Sequence, residues 1–141
     1  MQNTSLVTRT QDVLTAIRAL AILAKTSVSA VALDLARNQA DEAVRALHLA
    51  KESLLLAPLR DSDDGVHHAL ARRTVQQDLE WREHMVAHRA TWPAATVRVD
   101  PQGYRTAVQQ LLRMAERRIA YQDQVLEPIA REALAACRRA A

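Results

Sequence analysis

The chain has 141 residues, enough for a single domain with its own hydrophobic core. It contains two glycines, four prolines and no phenylalanine, and its valines and isoleucines never alternate with polar residues as they do in strands. The formal net charge is only +3 and the arginines occur in scattered pairs, so there is no basic face of the kind that binds nucleic acid. The composition therefore predicts an all-α protein.

The single cysteine, Cys137, excludes an internal disulfide and favours a reducing compartment. The first residues lack the basic segment of a secretory signal, and every apolar stretch is too short or too charged to span a membrane. We therefore expect a cytoplasmic protein without a membrane partner.

Apolar periodicity predicts four helices, at residues 5–25, 28–57, 66–90 and 101–138. Ser27 or Ser29 is suited to cap the second helix, which we expect to end ahead of Pro58. A connection of about ten residues follows the third helix, and Asp100 is suited to cap the fourth. Four helices with short connections favour a single domain, residues 1–141, folded as an up-down-up-down antiparallel four-helix bundle.

The apolar stripe of the last helix is interrupted by one polar residue. Gln122 occupies the stripe position between Ile119 and Leu126, and Asp123 lies beside it. A polar group on a core stripe costs free energy unless something satisfies it, so this interruption marks a candidate site.

Two further pairs of polar residues stand one helical turn apart. His48 and Glu52 share a face of the second helix, where they can either bind one metal ion or form a boundary pair. His84 and His88 share a face of the third helix with Trp81, and they are either metal ligands or boundary histidines near the helix C-terminus. The histidine pair lacks the glutamate position of the zinc proteases.

Two segments of the chain repeat the same pattern, in which polar residues are followed by leucine and proline. The first is His48-Leu-Ala-Lys-Glu52-Ser-Leu-Leu-Leu-Ala-Pro58, and the second is Arg118-Ile-Ala-Tyr-Gln122-Asp123-Gln-Val-Leu-Glu-Pro128. Together they resemble the two ligand motifs of the hemerythrin-like (HHE cation-binding) family, over roughly residues 40–133. The resemblance implies the four-helix bundle and a cation site, which in members with all ligands holds two irons for oxygen binding, storage or sensing.

The chain departs from that family at several ligand positions. The first helix offers no histidine, the closing-helix histidine is Arg118, and its glutamate is Gln122. A guanidinium paired with Glu52 or Asp123 can replace a metal ion, and the remaining ligands suffice for at most one ion of iron or another divalent cation. The candidate metal ligands that the resemblance leaves are His48, Glu52, His84, His88 and Asp123.

We therefore expect a non-enzymatic module, either a degenerate cation-binding or sensing domain or a partner-binding domain, that binds one metal ion weakly or none. A protein partner or a homodimer is left open. One alternative is an intact non-heme iron protein for oxygen or redox sensing or storage. A further alternative is a histidine phosphotransfer bundle with His48 as phosphoacceptor, although the adjacent charge of Glu52 would repel the phosphoryl group.

Overall fold

The computed structural model describes residues 2–26 and 29–140, which are almost entirely helical. Within this part of the chain there is no strand, so the all-α prediction is confirmed for it. The residues form five helices, which we number in chain order. These are α1 (Gln2–Leu23), α2 (residues 30–61), α3 (Gly65–Thr91), α4 (Ala94–Val99) and α5 (residues 101–140).

Helix α2 continues through Pro58, contrary to the prediction that it ends ahead of this proline. A π-helical turn, Glu52–Leu56, precedes the proline, and the N–H of Ala57 donates to the carbonyl of Glu52 five residues back. Proline has no N–H to donate and its ring crowds the preceding turn, so a wider turn there lets the helix continue. The last stretch, Ala57–Asp61, is again α-helical.

Helix α5 repeats this arrangement. It is α-helical over Pro101–Tyr121, has a π-helical turn over Gln122–Leu126 and returns to α-helix over Glu127–Ala140. Pro128 follows its π-helical turn at the same distance as Pro58 follows the turn in α2. The two segments with the repeated sequence pattern therefore share one backbone conformation.

Side chains cap three of the helix starts. Ser29, Asp64 and Asp100 each accept a hydrogen bond from a backbone N–H two or three residues further on, at 2.8 to 3.1 Å. The predicted caps at Ser29 and Asp100 are thus present, whereas Ser27 and Val28 lie outside the described residues. The connection after α3, which the sequence predicts as a loop, contains the short helix α4. Pro93 is the residue that precedes its first turn.

Helices α2 and α3 pack in an antiparallel arrangement. Arg37 near the start of α2 contacts Trp92 just after α3, and Lys51 later in α2 contacts Asp78 in the middle of α3. The two helices therefore run in opposite directions. Helix α1 packs against α2 and α5. None of the described helices combines the length and apolar character needed to cross a bilayer. The side chains of the larger apolar cluster include Val13, Ile17, Val44, Leu47, Leu55, Leu59, Trp81 and Leu126.

Candidate functional site

Helices α2 and α3 bring three polar side chains together in the core. Lys51 Nζ donates a hydrogen bond to Asp78 Oδ1 at 2.8 Å, and the two side chains are only 6% and 9% exposed. The Nε2 atom of His48 lies 3.6 Å from the same carboxylate oxygen. Burial of one of these charges alone is costly, so the ion pair is what allows both residues to lie here. We call His48, Lys51 and Asp78 the polar cluster.

Helical spacing explains why these side chains meet. Lys51 follows His48 by three residues on α2, and Trp81 follows Asp78 by three residues on α3, so each pair shares one helix face. Because the helices are antiparallel, Lys51 faces Asp78 while His48 faces Trp81. The imidazole and indole rings meet edge-on, with their centroids 5.0 Å apart. The tryptophan therefore closes the cluster on one side.

The polar cluster contains one ion pair and one neutral ring. Burial lowers the pKa of His48 to about 4, and the positive charges of Lys51, Arg82 and Arg118 add to this effect against the opposing charge of Asp78. The imidazole is therefore neutral at neutral pH. Neither of its ring nitrogens has a hydrogen-bond partner among the described residues.

Three of the five predicted metal ligands face away from this cluster. The carboxylate of Glu52 is exposed and accepts hydrogen bonds from the guanidinium of Arg60. His84 is exposed on α3. Asp123 is exposed on α5, where its carboxylate is 3.5 Å from the amide nitrogen of Gln122, and partial burial raises its pKa. Of the predicted ligands, only His48 belongs to the polar cluster.

His88 is partly buried and lies in a different part of the molecule. Its ring is 5.8 Å from that of Tyr104, and its Nε2 has no hydrogen-bond partner among the described residues. Burial lowers the pKa of His88 to about 4, and the charges of Arg37 and His84 contribute in the same direction. Seven residues separate His88 from Trp81, which is about 10 Å along a helix. His48 and His88 are therefore not placed to share one ion.

The residues that do meet do not fit a metal ion. In the described part of the chain, no group of three or more His, Cys, Asp or Glu side chains is arranged to hold one. The polar cluster offers one carboxylate and one imidazole, and the ammonium of Lys51 already contacts the carboxylate of Asp78. A divalent cation bound to that oxygen would be repelled by the lysine.

Gln122, the polar residue on the apolar stripe of α5, has its hydrogen-bond partner on α1. The amide nitrogen of Gln122 donates to Thr10 Oγ1 at 3.1 Å, and both residues are buried. Arg118 lies 4.0 Å from the carboxylate of Glu80. The predicted ion pair of Arg118 with Glu52 or Asp123 is thus wrong, because this side of α5 faces α3.

Asp78 and Thr10 were not predicted from the sequence as functional candidates, and neither was the ion pair of Lys51. The available signal was the position of Lys51 three residues after His48 and of Asp78 three residues before Trp81, which puts each charge on an apolar face. What the sequence does not contain is the pairing of two charges that are separated by 27 positions.

Comparison with known proteins does not assign the chain to a family. The chain matches no protein-family model, no curated protein and no solved structure. Its function therefore has to be inferred from the geometry of the site and from the sequence motifs.

Proposed function

We propose that this chain is a divergent hemerythrin-like domain, an up-down-up-down four-helix bundle that acts in the cytoplasm as a non-enzymatic binding module. The antiparallel packing of α2 against α3 and the contacts of α1 with α2 and α5 support the bundle. The two motif segments support the family, because both have a π-helical turn at the same distance before a proline. The single cysteine, Cys137, supports a reducing compartment.

The contact between Lys51 and Asp78 is the observation that carries the functional proposal. The ammonium lies 2.8 Å from the carboxylate and supplies the positive charge that a bound ion would otherwise provide. His48 stays neutral beside it. The module therefore binds one divalent ion weakly or none, and its role is to bind a ligand or partner.

The geometry of His48 does not support phosphotransfer. A phosphoacceptor has to be reached by the donor phosphoryl group, whereas this side chain is 7% exposed and lies against Trp81. Its two ring nitrogens are buried in the core.

Thermal unfolding with and without metal tests the proposal. We expect the midpoint of the metal-free protein to stay unchanged when Fe(II), Mn(II) or Zn(II) is added without oxygen, since a ligand stabilises a protein only in proportion to its binding. The alternative of an intact iron protein predicts one or two bound irons by elemental analysis and a higher midpoint that Glu52→Ala abolishes. That result would contradict our proposal.

A second variant tests directly whether the ammonium of Lys51 takes the place of a metal ion. Lys51→Glu places two carboxylates beside His48, so we expect a lower midpoint in EDTA and a partial recovery with Zn(II). Glu52→Gln is the control, because Glu52 is exposed and pairs with Arg60. It should respond to Zn(II) as the parent does. A Lys51→Glu protein that is as stable as the parent in EDTA would count against the role of the ion pair.

A further inference from the structure

A cavity of about 220 Å³ lies where the end of α1, the start of α2, α4 and the start of α5 meet. Its apolar lining includes Leu23, Leu33 and Val97, with Tyr104 as the aromatic wall. A dry apolar cavity of about 150 Å³ already holds one benzene molecule. This cavity therefore has room for a short hydrocarbon chain or a single substituted ring.

The charged residues that line the cavity are all cationic. Lys25, Arg98 and Arg105 contribute to its lining, and no carboxylate does. None of the three makes an ion pair with a residue in the described ranges 2–26 and 29–140. The Nε atom of Arg105 is buried and has no hydrogen-bond partner there. These cations differ from Arg89 and Arg60, which both have carboxylate partners.

A fourth cation lies against the ring of Tyr104, although it does not line the cavity. Arg37 is only 5% exposed, and its Cζ is 5.2 Å from the ring centroid of Tyr104. Its guanidinium donates to the backbone carbonyl of Trp92, and it pairs with no carboxylate among the described residues. A buried cation without a counter-ion is costly and makes the surrounding potential positive.

The hydroxyl of Tyr104 is a further buried polar group next to the cavity. It is buried and has no hydrogen-bond acceptor among the described residues, and the guanidinium of Arg37 is the nearby group that can donate to its oxygen. Burial raises the pKa of Tyr104, so the phenol keeps its proton and can donate it to an acceptor. The cavity thus combines an apolar lining with uncompensated positive charge.

We infer that this cavity binds a small organic anion, a monocarboxylate with an apolar body. The apolar body lies against Leu33, Val97 and Tyr104, and the carboxylate interacts with Arg98 and Arg105. Guanidinium groups suit this role because their paired N–H donors match the two oxygens of a carboxylate. The inference names a ligand class for the proposed binding module and does not depend on the state of the polar cluster.

Isothermal titration of the full chain with octanoate tests the inference. We expect saturable binding of one octanoate per chain, and at least tenfold weaker binding of 1-octanol, which has the same apolar body without the charge. Octylammonium, which carries the opposite charge, should bind no better than 1-octanol. Failure of octanoate to saturate, or equal affinity for 1-octanol, would overturn the inference.

Paired arginine variants locate the site. Arg98→Gln combined with Arg105→Gln should weaken octanoate binding at least tenfold. The matched control is Arg113→Gln combined with Arg117→Gln, which removes the same charge from exposed positions of α5 outside the cavity. We expect the control to bind as the parent does, and an equal loss in both variants would show that only net charge matters.

The outcome is independent of the metal experiments. If octanoate does not bind and metal has no effect on the thermal midpoint, the inferred ligand class is wrong. The proposal of a metal-independent bundle is then unaffected. Metal binding that requires Glu52, together with octanoate binding that requires Arg98 and Arg105, would contradict the proposed metal-independent module. The inference that the cavity binds a monocarboxylate would then still stand.

Discussion

At the scale of single residues, the polar cluster makes Lys51 and Asp78 interdependent. Each charge is compensated by the other at 2.8 Å inside the core, so removal of one leaves the other buried without a partner. Replacement of both by apolar residues of similar size removes the charges together. The pair is therefore better suited to fix the register of α2 against α3 than to raise the stability of the fold.

A double-mutant cycle measures this dependence. Lys51→Met should lower the free energy of unfolding by about 3 to 5 kcal/mol, because Asp78 loses its counter-ion, and the addition of Asp78→Leu should recover most of that loss. Urea denaturation gives the four free energies. The pair Glu127–Arg131 is the control, since it has the same 2.8 Å separation with the arginine largely exposed, and its loss should cost about 1 kcal/mol or less. Additive effects of the two core substitutions would contradict the prediction.

The hydrogen bond between Thr10 and Gln122 makes a second prediction at this scale. Thr10→Val keeps the shape of the side chain but removes the acceptor of the buried amide, so it should cost about 1 to 3 kcal/mol in urea denaturation. Adding Gln122→Met removes the amide that has lost its buried acceptor and should recover stability. Thr106→Val is the control, because Thr106 is exposed and bonds only to a carbonyl of its own helix. An effect of Thr10→Val no larger than that of the control would argue against it.

At the scale of an element, the start of α5 depends on one glycine. Asp100 caps the helix through the N–H of Gly103 at 2.9 Å. A Cβ at Gly103 would lie 2.2 Å from Asp100 Oδ2 and 2.8 Å from Trp92 Cη2. The carboxylate cannot withdraw without loss of the cap, and the indole ring is packed against Tyr104. Absence of a side chain at Gly103 therefore allows the cap and the aromatic packing to exist together.

Alanine substitution of the two glycines separates this steric effect from helix propensity. Gly103→Ala should lower the free energy of unfolding by about 1 to 2 kcal/mol, through loss of the cap or displacement of Trp92. Gly65→Ala, where a Cβ would meet nothing within 4 Å, should be neutral or stabilise by up to about 1 kcal/mol. Thermal unfolding followed by circular dichroism measures both. Equal effects at the two positions would refute the steric explanation.

At the scale of the whole molecule, the buried His48 and the partly buried His88 connect the stability of the fold to pH. His48 and His88 lie in separate parts of the molecule, and the pKa of each is lowered to about 4 by desolvation. The unfolded chain, with the ordinary pKa of 6.5, binds more protons than the folded chain between about pH 6.5 and 4. Stability should therefore be constant above pH 6.5 with respect to these groups and fall as the pH drops below it.

Urea denaturation at pH 7.5 and 4.5 measures this acid sensitivity. Each histidine should contribute a loss of about 2 to 3 kcal/mol between the two pH values, and His48→Gln or His88→Gln should remove its own share. His84→Gln is the control, because His84 is exposed on the same helix as His88. If the two variants keep the full acid loss of the parent, the histidines are not its source.

The sequence predicted the parts of the fold that depend on short-range interactions. The caps at Ser29 and Asp100 and the apolar faces of the helices follow from residues within one or two turns of each other. The passage of α2 through Pro58 was not predicted, because a proline ordinarily ends a helix unless the turn before it widens. The repeated segments hold the signal for that turn, since both have the same spacing to a proline.

The polar residues show the boundary between what sequence and tertiary structure decide. The sequence by itself determined an all-helical chain, the helix faces that carry the core, and Gln122 and His48 as polar positions on such faces. Only the tertiary structure decided that Gln122 bonds to Thr10, that His48 lies beside Asp78 and Lys51, and that Glu52 faces solvent. The physical reason is that a helix is set by hydrogen bonds and side chains a few residues apart, whereas partners on different helices depend on how those helices rotate and slide to pack their apolar faces.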